Sequence, residues 1–543
     1  MAKVKILDCT LRDGGRIINC AFPDAHIRGI AAGLTDAKID YVEMGFLRGN
    51  IEYSGNSTMF TQLNQIDCFI PENRGKTEYL IFSDYGKQYG MWDFSKIVPR
   101  NKSKIDGFRI AYRKEQLQEV QELFHIIQEN GYKLFVQCVE SMNYSDFEML
   151  QAIEVMNEIR PYAFSIVDTF GAMYKDDVLR FFNLLQNNLD EDIAIDFHSH
   201  NNMQLSFSFA QEIVEANNGR RELIIDSTLE GCGRGAGNLN TELIVDYLNR
   251  KQNGRYDMDI ILDTLDEYLS GLRQKYRWGY NVPAFMSGIY SAHPNNVEYL
   301  TKKHRLATKD IRHILAMIDS KERKTYNYDN IENLYVEYFS KEVNDKEALE
   351  KLRNEFRNRD ILVLVPGLSL KSEWKKIEES INKRDPLIIS VNYLPHFNGD
   401  VYTFFGNQRR YDRCLSGLNA DRTIITSNVS GSKTGMAVIN FNRVIDRSLK
   451  YFDNSVVMLF NLLRKLGVKR FMVAGLDGYD TEQTYTQYEE DKGLGKQNCD
   501  YKDVNEDIRK FLKKYVKSLP EGGKITNLTG GQFEEIFSGK SEK

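Results

Sequence analysis

Val4-Lys5-Ile6-Leu7-Asp8-Cys9-Thr10-Leu11-Arg12-Asp13-Gly14-Gly15 is the stretch that decides the fold. Val4–Asp8 reads as a short apolar strand, and the residues after it separate two α/β architectures. An open doubly wound sheet normally places a Gly-x-Gly-x-x-Gly turn after its first strand, where backbone amides cradle a phosphate. This chain places a fixed cation beside a carboxylate, Arg12 and Asp13, and then two glycines that let the backbone turn sharply. Seven further β-branched or apolar runs follow, at 40–44, 79–82, 107–111, 133–137, 164–168, 193–197 and 223–227. Helical periodicity fills most of the gaps. In 114–130, for example, Leu117, Val120, Phe124 and Ile127 recur at helical spacing and Gly131 supplies the stop. Eight parallel strands with right-handed helical crossovers describe a (β/α)8 TIM barrel, expected over residues 1–265.

At 543 residues the chain exceeds one hydrophobic core, so roughly two to four domains are expected. A helical extension and linker is expected at 266–356. It is interrupted by a loop-like stretch at 280–293 and ends in a solvated, charge-dense segment at 341–360. A second α/β domain is expected at 357–543. It shows a buried strand before Gly367, a helix through Trp374 and Ile381, a strand at 387–391, an apolar helix at 456–466 and a strand at 470–474. That order fits an open Rossmann-like sheet with its site at the strand ends. The polar tail after Ser538 is expected to fray.

Charge narrows the partners. The net charge of −5 arises from 77 acidic and 72 basic residues spread along the chain, which gives no polybasic surface for nucleic acid. No apolar run reaches membrane-spanning length, and the N-terminus enters a strand without a long apolar signal core. Cys9, Cys20, Cys68, Cys138, Cys232, Cys414 and Cys499 form no Cys-x-x-Cys pair. They read as free thiols in a reducing cytoplasm.

Barrel chemistry sits at the C-terminal ends of the strands. Those ends carry Arg12 and Asp13, Glu43, Asp168 and Thr169, and His198 and His200, followed by the glycine-rich loop 231–238. Residues i and i+2 of a strand share a face, so His198 and His200 can both enter the mouth. Only eight histidines occur in the whole chain, and these two fall on one face at a catalytic end. Two imidazoles and the Asp13 carboxylate make a facial set for a divalent first-row cation with positions left open. Such a site suits a 2-oxo acid, whose carboxylate and keto oxygens chelate the metal while it stabilises an enolate. Arg12 is placed to donate to the same oxyanion, and Glu43 to hold the guanidinium in a bidentate pair.

Taken together, the motifs at 8–14, 42–45, 167–173, 198–202 and 231–238 resemble the DRE-TIM metallolyase superfamily. That superfamily includes 4-hydroxy-2-oxovalerate aldolase, hydroxymethylglutaryl-CoA (HMG-CoA) lyase and the isopropylmalate and homocitrate synthases. The resemblance implies Asp13, His198 and His200 as ligands of Mn²⁺ or Mg²⁺, with Asn238 as a fourth, and Arg12 as enolate stabiliser. It further implies a substrate carboxylate near Thr169, and Tyr290 as an acid or substrate contact through the weaker echo Ser287-Gly288-Ile289-Tyr290-Ser291. One departure stands out: the aldolases carry a histidine base where this chain has Arg16. Either Tyr290, His293 or a metal-held water moves the proton, or the reaction differs. Arg16 instead suits an anionic group on the substrate, such as a second carboxylate or a phosphate. Cys232 falls outside the lyases' reactive-cysteine position and reads as structural.

The second domain resembles the Rossmann-type domains of some sialyltransferases and of a 6-hydroxymethylpterin diphosphokinase-like family, through 365–370 and 473–477. That implies a nucleotide or nucleotide sugar there. The expected activity is an aldolase-type, metal-dependent carbon–carbon lyase on a 2-oxo acid such as pyruvate, with a homo-oligomer compatible. The alternatives are a Claisen-type acyltransferase, or a non-catalytic barrel with the activity in the second domain.

Overall fold

The computed structural model describes residues 4–252, 254–301, 306, 308–340, 343–395, 400–479 and 501–537. Two compact units are present, Met1–Val297 with Asp319–Tyr326, and Glu298–Ile318 with Asn327–Lys543.

All eight expected runs of the first unit are strands. They are β1 (Val4–Asp8), β2 (Tyr41–Leu47), β4 (Glu78–Asp84), β5 (Gly107–Tyr112), β6 (Lys133–Cys138), β7 (Ala163–Asp168), β8 (Ala194–Ser199) and β9 (Leu223–Ser227), with a two-residue β3 (Met59–Phe60) added beside β2. Every pairing is parallel, and β1 bonds to both β2 and β9, which closes the sheet into an eight-stranded barrel. The period-2 alternation of each strand sorts its side chains. Leu7, Tyr41, Leu80, Phe135, Ala163, Ala194 and Ile224 form one buried interior cluster. Two residues further along their strands stand Cys9, Glu43, Asp196 and Asp226, all buried. The barrel is therefore apolar low down and charged at mid-height.

Outside, helix Asp24–Asp36 buries Ile27, Ile30, Ala31 and Leu34. Gly29 and Gly33 of that helix admit helix Met258–Tyr268 at close range: a Cβ at either would overlap Tyr268 or Thr264. Two expectations need correction. The single helix over 114–130 is broken into a 3₁₀ turn, Lys114–Gln116, and a helix, Gln121–Glu129. The Gln116 side chain accepts from the Arg113 N–H at 2.9 Å, and the Gln116 N–H closes the same turn on the Arg113 carbonyl at 2.8 Å. The loop-like stretch 280–293 contains a helix, Val282–Ile289, because Asn281 Oδ1 caps the Ala284 N–H at 2.8 Å and Pro283 sits in the first turn, where no N–H is needed.

The second unit holds β10 (Ile361–Leu364), β11 (Leu387–Val391), β12 (Val401–Phe405), β13 (Thr423–Thr426), β14 (Ala437–Ile439), β15 (Arg470–Ala474) and β16 (Lys524–Asn527). They form an open parallel sheet ordered β14-β13-β12-β11-β10-β15-β16. The order reverses once, between β10 and β15, with five strands on one side and two on the other. That is not the three-and-three arrangement of a Rossmann sheet. No helix among the described residues is long and apolar enough to cross a membrane. Six cysteines are free thiols, while Cys499 and the tail after Ser538 lie outside the described residues.

Candidate metal centre at the barrel mouth

The turn after β1 is wound tightly: the N–H groups of Arg12, Asp13 and Gly14 all point at the Cys9 carbonyl, at 3.0, 2.9 and 3.2 Å. Thr10 Oγ1 accepts the Leu229 N–H at 2.8 Å, and Asp8 accepts from Thr241 at 2.7 Å, which ties the turn to the loop after β9. A Cβ on Gly14 would overlap Cys232 Sγ. Cys232 is buried and its thiol is pushed far up by that burial, so it packs against the turn as an inert group.

This winding brings Asp13 to His198 and His200. One ligand atom from each of the three lies within 4.8 Å of the others. The imidazoles stand perpendicular with centroids 5.1 Å apart, and His200 Nδ1 is 3.9 Å from Asp13 Oδ2. Burial pushes both histidines down to about 4, so both rings are neutral with a lone pair to offer. Burial pushes the Asp13 carboxyl up, but the neighbouring positive charges, Arg12 first and Arg16 with it, hold the group well below the usual carboxylate range. A β-bridge sets Asn238 against His200. The Asn238 amide donates to Asp13 Oδ2 at 3.0 Å, while its Oδ1 is buried with no partner. Neutral imidazoles, an ionised carboxylate and an orphaned amide oxygen fit a hard-to-borderline divalent cation.

Beneath the trio lies a network that sequence reasoning missed. Arg109 of β5 is fully buried and faces Glu43 at 3.2 Å, Asp196 at 3.0 Å and Asp226. Asp226 Oδ2 also faces His198 Nδ1 at 2.8 Å, which fixes that nitrogen as the protonated one and leaves Nε2 as the ligand atom. Arg12 donates from Nε to Glu43 at 2.6 Å and from Nη1 to Asp13 at 2.8 Å, and its Nη2 is buried without a partner. Two guanidiniums thus face four carboxylates, leaving the buried cluster short of positive charge. Burial and the neighbouring Asp226 push Asp196 up to about 7, which relieves part of that shortage. Cys9, His198 and Asp226 form a second close trio, but Arg109 already fills it by donating to Cys9 Sγ at 3.3 Å as well as to Asp226. The available signal was parity: Asp196 and Asp226 stand two residues beyond the inward Ala194 and Ile224.

The remaining candidates are spread around the mouth. Half-buried Arg16 donates to Asp13 Oδ1 at 3.2 Å and lies over the Phe46 ring. Thr169 and Tyr290 line a neighbouring cavity of about 320 Å³ with Asp168, Glu140, Asn143, Arg323 and Lys324. Thr169 Oγ1 accepts the Glu140 N–H at 2.7 Å and keeps its own hydrogen free. His293 is pushed down to about 4 by burial and by Arg234, and its Nδ1 takes the Asn295 N–H at 3.2 Å. In the second unit, the turn at Gly367 is already filled. Asp477 receives the Ser369 N–H at 2.8 Å and the Ser369 hydroxyl. A cavity of about 760 Å³ in that unit, lined by Trp374, Asp385, Tyr402 and Arg422, sits at the strand starts, away from the reversal between β10 and β15.

Residues 108–267 match the model of the HMGL-like family. The match includes Arg109, Thr169, His198, His200, Asp226 and Asn238, and begins after Arg12, Asp13 and Glu43. The chain is 23% identical to an oxaloacetate decarboxylase of Mycobacterium tuberculosis over 57% of this chain and 89% of that protein. It is 28% identical to a 4-hydroxy-2-oxovalerate aldolase of Thermomicrobium roseum over 45% of this chain and 67% of that protein. The solved HMG-CoA lyase of Brucella melitensis is 15% identical, with a TM-score of 0.40, covering 50% of this chain and all of that one.

Proposed function

We propose that the barrel is a divalent-metal-dependent carbon–carbon lyase acting on a 2-oxo acid, with Mn²⁺ or Mg²⁺ held by Asp13, His198, His200 and Asn238. The observation that carries this reading is the ionised Asp13 beside two neutral imidazoles, next to a buried Arg12 whose Nη2 has no partner. A divalent cation bound there supplies Lewis-acid polarisation of the 2-oxo group.

The chain's own residues account for the rest. Arg12 directs Nη2 at the oxyanion that develops on the substrate as the carbon–carbon bond breaks, and it cannot itself lose a proton. Glu43 and Asp13 hold the other two edges of the guanidinium, so its aim is set before substrate arrives. Arg109 and Asp226 keep His198 in one tautomer. The free hydrogen of Thr169 is available to a substrate carboxylate. Proton transfer is assigned to Tyr290, from its place in the cavity with Thr169. Arg16 is spent on Asp13, and His293 has its Nδ1 lone pair engaged, which leaves Nε2 carrying the proton as a donor.

Aldol cleavage to pyruvate and an aldehyde ranks first, in line with the aldolase relatives. Loss of carbon dioxide from a 2-oxo dicarboxylate, suggested by the decarboxylase relative, passes through the same pyruvate enolate. Exchange of the pyruvate C3 protons with solvent deuterium tests both at once. Wild type with Mn²⁺ exchanges, and His198→Ala neither exchanges nor retains metal. A wild type that binds no divalent metal and never exchanges refutes the lyase and leaves the non-catalytic barrel. Acetyl-CoA thioester loss dependent on a 2-oxo acid would move the assignment to acyl transfer.

A further inference from the structure

The cavity beside Thr169 is lined by two cations, Arg323 and Lys324, that the metal centre and its first carboxylate contact do not use. Its walls are the segments after β6 and β7 on one side, and 289–291 with 320–324 on the other. The last segment belongs to the barrel unit although its sequence neighbours on both sides belong to the second unit. It is held there by the bond from the His293 N–H to the Arg323 carbonyl at 2.7 Å, and by Asn296 Nδ2 donating to the carbonyls of Arg323 and Thr325 at 2.8 and 2.9 Å. The backbone of this strap is thus fixed, and two adjacent cations are carried to the barrel mouth.

Among the described residues neither cation meets a carboxylate at hydrogen-bond distance, although Glu140 lies near enough to attract Lys324. Arg323 donates from Nη1 to the Tyr290 carbonyl at 3.4 Å, and its Nε is buried with no partner. Lys324 donates to the neutral amide oxygen of Asn143. Two acidic side chains also line the cavity, and both are engaged. Glu140 accepts from the Asn143 amide, and Asp168 accepts the N–H groups of Ala172 and Met173 at 2.8 and 3.2 Å. An unsatisfied buried guanidinium nitrogen costs free energy until an acceptor arrives, and a carboxylate is the acceptor whose fork matches it.

We propose that this cavity receives a second carboxylate at the far end of the substrate, so that Arg323 and Lys324 select a 2-oxo dicarboxylate over a monocarboxylate. The inference rests on the 2-oxo acid reading of the barrel. It takes the second anionic group away from Arg16, which Asp13 already holds, and gives it to the strap. At about 320 Å³ the cavity has room for a short carbon chain ending in a carboxylate.

Calorimetric titration of the full chain with pyruvate and with 2-oxoglutarate, in the presence of Mn²⁺, tests the proposal. Wild type binds 2-oxoglutarate about tenfold or more tighter than pyruvate, the scale of one charge-assisted contact. Arg323→Met and Lys324→Met each remove most of that preference and leave pyruvate affinity within about twofold, while Arg323→Lys restores part of it. The proposal is overturned if wild type shows no preference, if the variants weaken both ligands alike, or if Arg16→Met abolishes the preference and the strap variants do not. Because the readout is a ratio of two affinities, it survives even if pyruvate never exchanges its C3 protons, so the two readings fail separately.

Discussion

Replacing Asp226 by asparagine keeps the volume and removes one charge from the centre of the barrel. Asp226 Oδ2 now serves two donors, His198 Nδ1 at 2.8 Å and Arg109. An asparagine turns its carbonyl to the Oδ2 position, where it still accepts from both Arg109 and His198 Nδ1, and its NH₂ takes the place of Oδ1, which has no partner. The ring tautomer is therefore kept, but His198 Nδ1 now donates to a neutral amide oxygen instead of a carboxylate. A carboxylate partner raises the basicity of Nε2, so the neutral amide leaves a weaker metal ligand above a buried cluster with one negative charge fewer. Loss of such a partner typically weakens metal binding by about 10–100-fold, or roughly 1.4–2.7 kcal/mol. The fold should survive, since Arg109 keeps Glu43 at 3.2 Å and Asp196 at 3.0 Å. Manganese titration of wild type, Asp226→Asn and His198→Ala, followed by the spectroscopic signal of free Mn²⁺, reads the effect directly. Urea unfolding of the metal-free proteins checks that the variant remains folded. A folded Asp226→Asn protein binding Mn²⁺ within twofold of wild type, while His198→Ala loses it, would refute the argument from the partner's charge.

Other outcomes follow from the same geometry. Arg12→Lys cannot reproduce a fork that bonds Glu43 and Asp13 with a third edge free, so C3 proton exchange should fall by about 10²–10³ with Mn²⁺ still bound; exchange within a few-fold of wild type would remove Arg12 from the chemistry. Gly14→Ala should destabilise the barrel by about 1–3 kcal/mol through its overlap with Cys232 Sγ, and Cys232→Ala in the same chain should recover most of that loss in urea unfolding. With His198 and His200 at about 4, protons compete with the metal only as pH approaches that value. Manganese affinity should therefore stay flat from pH 8 to about 5.5, where an ordinary histidine pair would already be losing it. In the metal-free protein the folded state binds fewer protons at this pair than the unfolded chain does between about pH 4 and 6.5. That contribution to stability is present above pH 6.5 and is lost as pH falls toward 4.

Local pattern was enough to read the barrel, because a parallel strand buried on both faces is a short apolar run that ends where its turn begins. Each of the eight runs is a strand. The pairing of Arg12 and Asp13 with His198-x-His200 was legible for a related reason: strand parity and position at the C-terminal end are properties of sequence order. Helix ends were less legible. Asn281 and Gln116 act through single side-chain bonds that redirect a turn, and periodicity is blind to those. The second sheet was legible as parallel, but its strand order was not, because order depends on which edges meet after the crossovers.

What the sequence determined alone was the set of strands and the chemistry exposed at their ends. What only the tertiary structure decided is how the charge beneath that chemistry is arranged. Arg109, Glu43, Asp196 and Asp226 stand on four different strands, and nothing in any one strand says that closing the barrel will put a guanidinium among three carboxylates. The same closure turns one Asp226 oxygen toward His198 and so selects the nitrogen that can bind a metal. The strap that carries Arg323 and Lys324 to the mouth is likewise a long-range event, fixed by bonds to the residues around His293. Parity and turns are local and written in order along the chain, whereas a buried charge finds its partners only when the sheet closes.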